Sequence, residues 1–518
     1  MSPEPLLEGE RRRGVSIVES FKPSFASPRR KGTVMSSVFS LVSTILGGGV
    51  LSLPFAFSEA GIIPGIFLLL AVAAASDFSA FTLAACSRRA AAHTYEDVAA
   101  LAFGSPGRTL AQMLVVMLTF LALIAYSILL RGILGTFIQR RAVVLLLVGG
   151  LELTILPLAM LTSFSKLRFT SLLCFCSVLG VALCVMLHFA ACVADPEQKG
   201  LNRELLWPDN AFGIFRALPV LICTFLCHFN LLAVHGELEN PSRGRVKSMV
   251  HGAVGAASSI YFTIGISGAA FSSCRGKDPS DNILTEFNPS TLPGKVALTL
   301  AKCGILATLL FALPMIAAPC RDTMLRLWST FWDATSDPAD ALLPLGHEKD
   351  EIGNPLVDDT SMAASAGGVV NGIGGGSGVG AGEGDSGGDG DSSANMVRAV
   401  RDYSADTDSS SIGISKAKVQ GTSSLTMLTL VIFALQFAIA SVTPNVSTVW
   451  AFIGSIVGPI IAFVIPAASY LMITSPSEIQ GRKHWRRFSS WLLLVSSVCA
   501  MFVCTYITIY DIASSPPR

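Results

Sequence analysis

The segment STILGGGVLSLPFAFSEAGI, from Ser43 to Ile62, places three consecutive glycines and a proline inside the first apolar run of the chain. Glycine costs a helix about 1 kcal/mol relative to alanine, and proline removes a backbone donor. Within a lipid bilayer, the backbone groups that these residues release have no water to bind. The segment therefore predicts a membrane helix with a functional interruption.

The composition indicates an integral membrane protein. Hydrophobic residues make up 51% of the 518 residues, only 14% are charged, and the mean hydropathy is +0.59, which is unlike a soluble domain. The 37 basic and 36 acidic residues nearly balance, so no nucleic-acid partner is indicated. The twelve cysteines show no zinc or iron–sulfur spacing, and neither a metal site nor a cofactor is predicted.

Eleven apolar runs are long enough to cross a bilayer, which takes about 20 residues of helix. They predict an all-α polytopic protein, with spans 1–8 within residues 34–329 and spans 9–11 within residues 423–510. The spans are expected near residues 34–58, 63–87, 109–136, 143–162, 168–192, 213–235, 248–271, 296–318, 423–443, 448–473 and 489–510.

Three segments outside the spans differ in composition from the rest. Residues 330–422 contain the run GGVVNGIGGGSGVGAGEGDSGGDGDSS, whose glycine, serine and aspartate content is typical of disordered chain. Residues 1–33 are similarly polar, and residues 511–518 form a short tail. We expect the first two segments to be disordered and cytoplasmic, and to act as plain tethers or, alternatively, to bind cytosolic partners.

The distribution of lysine and arginine predicts the orientation. With the N-terminus in the cytoplasm, most basic residues of the connecting segments lie on the cytoplasmic side, as Arg88 and Arg89 after span 2 illustrate. The odd number of spans then puts residues 511–518 on the other side. Cys192 and Cys274 lie at the ends of spans 5 and 7 on that non-cytoplasmic side, where they could form a disulfide. The sequence does not decide whether they do, because it gives no distance between them.

The order of the spans indicates two related halves. Span 6 begins about 180 residues after span 1, so spans 1–5 and 6–10 align with each other. Because five is odd, the second half enters the membrane from the opposite side, which is the 5+5 inverted repeat of secondary transporters. The alignment carries the glycines at 47–49 onto residues 226–228, so a second break is expected in span 6.

Unwound backbone at membrane depth is tolerated only where it is buried in protein or lines a cavity. Gly47, Gly48 and Gly49 lie about 14 residues into span 1, near the middle of a bilayer, and Ser43 and Thr44 add hydroxyls one turn away. A break there presents carbonyls and amides to a ligand, and the half-helix that follows favours a carboxylate. Close helix packing, for which small residues are also suited, is the alternative.

Five motifs are distributed over nearly the whole apolar chain. They are GGGVLSLPFAFSEAG in span 1, TYEDVAALAFGSPG before span 3, ALPVLICTFLCHFNLLAVHGELENPSRGRV in span 6, LPMIAAPCRDTM in span 8 and PNVSTVWAFIGSIVGPIIAFVIPAASYL in span 10. Together they resemble the amino acid/auxin permease family, which includes the sodium-coupled and proton-coupled neutral amino acid transporters. The resemblance implies eleven helices, broken spans 1 and 6, and transport of amino acids with a coupling ion.

The resemblance also implies a substrate site on both broken spans. Sodium-coupled relatives tend to carry an asparagine where this chain has Ser43. In span 8 their threonine is replaced by Ala312 or Leu310, with Thr308 one turn away. Since sodium needs several oxygen ligands, proton coupling or uniport is the better expectation. The implied substrate-binding residues are Ser43, Thr44, Gly47, Gly48, Gly49, Cys227, His228 and Asn230.

Ionisable residues inside membrane spans are costly and are therefore functional candidates. Asp77 in span 2, His228 at the expected break and Thr308 in span 8 are the candidates for ion coupling. For Asp77 the alternative is a structural role, in which neighbouring serines or backbone groups bind its carboxylate. For His228 the alternative is a histidine that is hydrogen-bonded inside the bundle. Arg131 in span 3 and Glu152 in span 4 are expected to form a structural ion pair.

These observations favour a secondary active transporter that moves amino acids by alternating access, with protons rather than sodium. No phosphate-binding P-loop, HExxH zinc pair or potassium-channel filter occurs in the sequence, so neither an enzyme nor a channel is indicated. The alternative function is a transporter-like sensor that binds an amino acid and recruits cytosolic partners. The location is expected to be the plasma membrane or a vacuolar or lysosomal membrane.

Overall fold

The computed structural model of the chain is helical. No strand occurs among the residues that it describes, where Gly32 and Leu238 form an isolated bridge. The predicted tail 1–33 and loop 330–422 lie largely outside the described residues, whereas residues 511–514 of the predicted tail 511–518 continue the last helix. The structure describes residues 30, 32–90, 92, 94–160, 168–195, 205–208, 210, 212–276, 280–287, 292–335, 422–474 and 483–514.

Eleven membrane helices, numbered α1 to α11, follow the order of the predicted spans. Within the described ranges, ten are long and apolar enough to cross a membrane, and α1 is the eleventh when its two halves count as one span. The all-α polytopic prediction is therefore confirmed. The helices are α1 Val34–Ile45 with Gly48–Ala60, α2 Ile62–Ala90, α3 Tyr95–Gly135, α4 Arg141–Ala159, α5 Arg168–Val193, α6 Phe212–Glu237, α7 Arg243–Cys274, α8 Leu292–Thr335, α9 Thr422–Val442, α10 Val446–Ile473 and α11 Lys483–Ser514.

The break in α1 coincides with the three glycines. The first half begins after Thr33, whose side chain accepts a hydrogen bond from Ser36 N, and it ends at Ile45. A 3-10 turn over Gly48–Ser52 leads into the second half, which has a proline in its first turn. The two halves are bent by 52°. The interruption that the glycines predict is present.

A second break interrupts α6. Its first half ends at Thr224 and its second half begins at His228, so three residues between them are outside regular helix. This break overlaps residues 226–228, onto which the alignment of the two halves carries the glycines of α1. The inverted orientation of the two halves stays a prediction.

Two helices, α3 and α8, extend more than ten residues beyond their expected apolar runs. α3 begins at Tyr95 instead of near residue 109, because Thr94 and Asp97 form a capping box that starts a helix before the apolar run. The chain kinks at Gly104, whose φ is +72°. α8 continues to Thr335, past the expected limit at residue 329, because helix formation outlasts the apolar residues that define a span.

The broken helices lie inside the bundle, surrounded by the others. α7 packs against α1, α2 and α5, and the second half of α1 packs against the first half of α6. The approach between α10 and α6 is particularly close at Gly454, where an added Cβ atom would lie 1.8 Å from Pro219 O. The backbones of the two helices touch there, which only a glycine permits.

Candidate functional site

The two breaks lie side by side, and we call residues 45–49 of α1 together with 224–228 of α6 the paired break. Tyr261 of α7 joins them, because its hydroxyl oxygen lies 2.5 Å from Ile45 O and 2.9 Å from Thr224 O. A hydroxyl carries one hydrogen and donates to one of these carbonyls at a time. Tyr261 is fully buried. It therefore ties together the ends of the two first half-helices.

A side-chain hydrogen bond also connects the broken helices. Asn230 Nδ2 donates to Thr44 Oγ1 over 2.9 Å, and Thr44 Oγ1 donates to Ser40 O over 3.1 Å. Two of the residues assigned to the substrate site are thus brought together. Ser43 points elsewhere, because its hydroxyl lies 2.8 Å from Ser40 O and 3.1 Å from Ser171 Oγ of α5.

The three glycines are needed because side chains already cover them. An added Cβ would lie 2.7 Å from Tyr126 Oη at Gly47 and 2.6 Å from Leu129 Cδ1 at Gly48. At Gly49 it would lie 3.0 Å from a methyl group of Thr224. Tyr126 of α3 also accepts a hydrogen bond from Gly48 N, at 3.4 Å. The wall of the paired break is therefore formed by side chains of other helices.

Cys227 and His228 begin the second half of α6. Cys227 O accepts hydrogen bonds from Asn230 N at 3.1 Å and Leu231 N at 3.0 Å, which starts the helix. His228 is fully buried, with its ring 6.4 Å from the ring of Phe463 in α10. Neither ring nitrogen has a hydrogen bond of good geometry to a described residue. His228 is therefore a buried polar group beside the paired break.

The three ion-coupling candidates are not joined by any hydrogen bond among the described residues. Asp77 pairs with His251 of α7, in an interaction that the sequence does not reveal. Thr308 Oγ1 donates to Gly304 O of its own helix over 2.9 Å. The alternative in which neighbouring serines or backbone hold Asp77 is replaced by this interhelical pair.

The predicted Arg131–Glu152 ion pair is wrong. Glu152 instead binds Ser127 of α3 and Gln436 of α9. The last carbonyls of a helix lack partners within that helix and attract a cation. Those at the end of α9 therefore bind the Arg131 guanidinium in place of Glu152. Arg131 donates to four carbonyls at the end of α9, those of Ala440, Ser441, Thr443 and Pro444.

A disulfide joins Cys192 at the end of α5 to Cys274 at the end of α7. The two Cα atoms are 6.5 Å apart, and 82 residues separate the cysteines in sequence. The sequence did not decide whether this disulfide forms, because it gave no distance between the helix ends.

Tyr261→Phe is expected to weaken substrate uptake selectively. The change removes the hydroxyl that joins the ends of the two first half-helices, so Thr224 O loses its Tyr261 donor while Ile45 O keeps its hydrogen bond from Gly47 N. An unpartnered buried polar group costs about 1–3 kcal/mol. We expect about a tenfold loss of uptake at low substrate concentration, measured in reconstituted vesicles. Tyr95→Phe is the matched control, because the buried Tyr95 hydroxyl donates to Ile461 O. Equal losses of uptake in both variants would contradict a special role for Tyr261.

Eleven membrane helices in the described ranges, two of which are broken and lie side by side, define an integral, multi-pass membrane protein of the broken-helix type. A family model described as transmembrane amino acid transporter protein matches residues 30–510. The chain belongs to this family, which confirms the resemblance seen in the sequence.

Three relatives illustrate the range of the family. Amino acid transporter AVT6A of Arabidopsis thaliana is 26% identical over 55% of this chain and 65% of its own length. Vacuolar amino acid transporter 5 of Schizosaccharomyces pombe is 27% identical over 57% of this chain and 69% of its own length. A Danio rerio protein, provisionally named sodium-coupled neutral amino acid transporter 11, is 26% identical over 49% of this chain and 59% of its own length. The match to the first and third relatives thus spans less than two thirds of their lengths.

A solved structure of a manganese transporter from Eremococcus coleocola aligns with 100% of this chain and 91% of its own. Its TM-score is 0.38 and its identity is 11%. A similarity at this level does not bear on the substrate.

Proposed function

We propose that the protein is a secondary active transporter that moves amino acids across a membrane by alternating access, with the substrate bound at the paired break. The observation that carries the proposal is the meeting of two broken helices at membrane depth. An amino acid carries an ammonium and a carboxylate at one end. The carbonyls of Ile45 and Thr224 suit the ammonium, and the amide end of the second half of α1 suits the carboxylate.

The scarcity of side-chain oxygens between α1 and α8 supports proton coupling over sodium coupling. Ser43, and Ala312 or Leu310, stand where sodium-coupled relatives tend to carry an asparagine and a threonine. The Ser43 hydroxyl lies 2.8 Å from Ser40 O, and Thr308 donates to Gly304 O. The names of the Arabidopsis and Schizosaccharomyces relatives mention amino acids and no ion, whereas the Danio rerio name mentions sodium.

The proposed orientation keeps the N-terminus in the cytoplasm. It puts the Cys192–Cys274 disulfide on the other side, where an oxidising compartment preserves such bonds. The plasma membrane and a vacuolar or lysosomal membrane both meet this condition, and the name of the Schizosaccharomyces pombe relative favours the vacuole.

Uptake by the purified protein in liposomes tests the proposal. A mixture of radiolabelled amino acids is offered under an inward proton gradient, an inward sodium gradient or no gradient. We expect accumulation with the proton gradient alone. Accumulation driven by sodium would contradict proton coupling, and saturable binding without flux under every gradient would favour the amino acid sensor instead.

A further inference from the structure

Three buried polar side chains meet between α3, α4 and α9, and we call Ser127, Glu152 and Gln436 the polar triad. Their exposed fractions are 1%, 3% and 0%. Ser127 Oγ lies 2.5 Å from Glu152 Oε1 and 2.8 Å from Gln436 Oε1. Gln436 Nε2 lies 2.6 Å from Glu152 Oε2. The three residues thus form a closed ring of three contacts, each of hydrogen-bond length.

Three hydrogen bonds need three hydrogens, and an ionised Glu152 leaves one short. A carboxylate only accepts, so the Ser127 hydroxyl and the Gln436 amide would both donate to it. The contact between Ser127 and Gln436 would then lack a hydrogen, because the hydroxyl has only one and the amide presents its carbonyl oxygen. Two buried oxygens 2.8 Å apart with no hydrogen between them cost free energy.

A protonated Glu152 completes the ring. Its hydroxyl donates to Ser127 Oγ, Ser127 donates to Gln436 Oε1, and Gln436 Nε2 donates to Glu152 Oε2. If the amide of Gln436 is turned by 180°, all three bonds reverse their direction and three hydrogens are still required. The number of hydrogens that the ring requires is therefore the same for both assignments of the Gln436 amide atoms.

No cation compensates a charge on Glu152 among the described residues. Arg131 of α3 donates to carbonyls at the end of α9, and Arg141 of α4 donates to Ser441 O over 3.2 Å. Tyr126, the other titratable residue of this part of α3, contacts the paired break. α9 has no charged side chain. The surroundings of Glu152 therefore favour its neutral form.

The polar triad is linked to the paired break through α3. Ser127 follows Tyr126 directly, so adjacent residues of one helix contact the Glu152 carboxyl and Gly48. Consecutive side chains of a helix point about 100° apart, so a rotation of α3 changes the contact of Tyr126 with Gly48 and the contact of Ser127 with Glu152 together. A movement of α3 at the paired break therefore also alters the polar triad.

We propose that Glu152 binds the proton that is carried with the amino acid, an inference that rests on the proposed function. The polar triad holds this proton in the present conformation. When the triad opens to water, the O–H bond of the carboxyl breaks, its electron pair stays on Glu152 as the carboxylate, and a water molecule takes the proton. Re-formation of the triad requires a proton to return.

Glu152→Gln tests the coupling. Glutamine completes the same three hydrogen bonds without a proton to release, so the variant is expected to fold with an unchanged thermal midpoint. It should still exchange labelled for unlabelled amino acid, which needs no net proton movement. Accumulation driven by the proton gradient should fall at least tenfold. Gradient-driven accumulation at the level of the unchanged protein would overturn the proposal.

Infrared difference spectroscopy tests the proton itself, without any transport. The unchanged protein should show a protonated carboxyl band that shifts in heavy water and is absent in Glu152→Gln. Ser127→Ala should move the band by removing a hydrogen-bond partner of the carboxyl. Thr429→Val, which removes a buried hydroxyl of α9 that donates only to Leu425 O, should not move it.

The two measurements separate the two proposals. If the unchanged protein shows no proton-driven uptake, proton coupling fails, while the infrared band still reports whether Glu152 carries a proton. Absence of the band, or a band that Ser127→Ala leaves in place, overturns the assignment of the proton to the triad. The comparison of Ser127→Ala with the unchanged protein remains decisive if Glu152→Gln is not recovered in folded form.

Discussion

Gly454→Ala is expected to prevent stable folding. The added Cβ would lie 1.8 Å from Pro219 O and 2.4 Å from Pro219 C, both of which are backbone atoms of α6. No side-chain rotation relieves such a contact, so the first half of α6 would have to move away from α10. Overpacking of a core costs about 1–3 kcal/mol and more where the backbone is displaced. The measurement is the thermal midpoint of the purified protein in detergent, with the yield of monodisperse protein.

Gly180→Ala is the matched control for this experiment. Gly180 also lies in a membrane helix, but nothing stands within 4 Å of the position of its added Cβ. Alanine has the higher helix propensity, so this control should fold at least as well as the unchanged protein. Equal thermal midpoints for the Gly454 and Gly180 variants would show that α10 and α6 are not in the close contact described above.

Gly48→Leu is expected to abolish amino acid uptake and leave the protein folded. The first added carbon would lie 2.6 Å from Leu129 Cδ1 and 3.1 Å from Tyr126 Cε1. These atoms belong to side chains that can move, in contrast to the backbone beside Gly454. The leucine then covers the amides and carbonyls of the paired break, where the substrate is proposed to bind. Uptake in the liposome assay should fall to the background of empty vesicles.

Gly150→Leu controls for the insertion of a leucine into a membrane helix. Gly150 is exposed on α4 with nothing within 4 Å of its added Cβ, so uptake should be retained. A Gly48→Leu protein that is folded and takes up amino acids at the unchanged rate would exclude the paired break as the substrate site.

The helices and the break in α1 could be predicted well because both depend on local properties of the chain. Apolar length identifies a span, and glycine with proline identifies a break, without knowledge of any neighbour. The break in α6 contains no glycine and was expected from the alignment of the two halves. The ends of α3 and α8 were less predictable. A capping box at Thr94 and Asp97 starts α3 before the apolar run begins, and α8 continues after its own apolar run has ended.

The contacts within the site could be predicted only in part. Thr44 and Asn230 lie on the two predicted breaks and do meet. The roles of Tyr126 and Tyr261 were missed, because a tyrosine in an apolar span shows no preference for one neighbour until the rotation of its helix is known. Their hydroxyls inside apolar runs were the only available signal.

The predicted Arg131–Glu152 pair failed for a related reason. Opposite charges on adjacent spans suggest an ion pair when only side chains are considered. The carbonyls at the end of α9 offered Arg131 several acceptors, and Ser127 with Gln436 offered Glu152 a neutral environment. Backbone acceptors at helix ends are invisible in a comparison of charged residues.

The Cys192–Cys274 disulfide has a mechanical consequence for the proposed alternating access. The bond fixes the ends of α5 and α7 to each other, and these helices belong to different halves of the predicted repeat. The two halves are therefore held together at these helix ends and cannot separate there. A rocking motion between the halves would therefore displace the helices least beside the disulfide and most at their opposite ends.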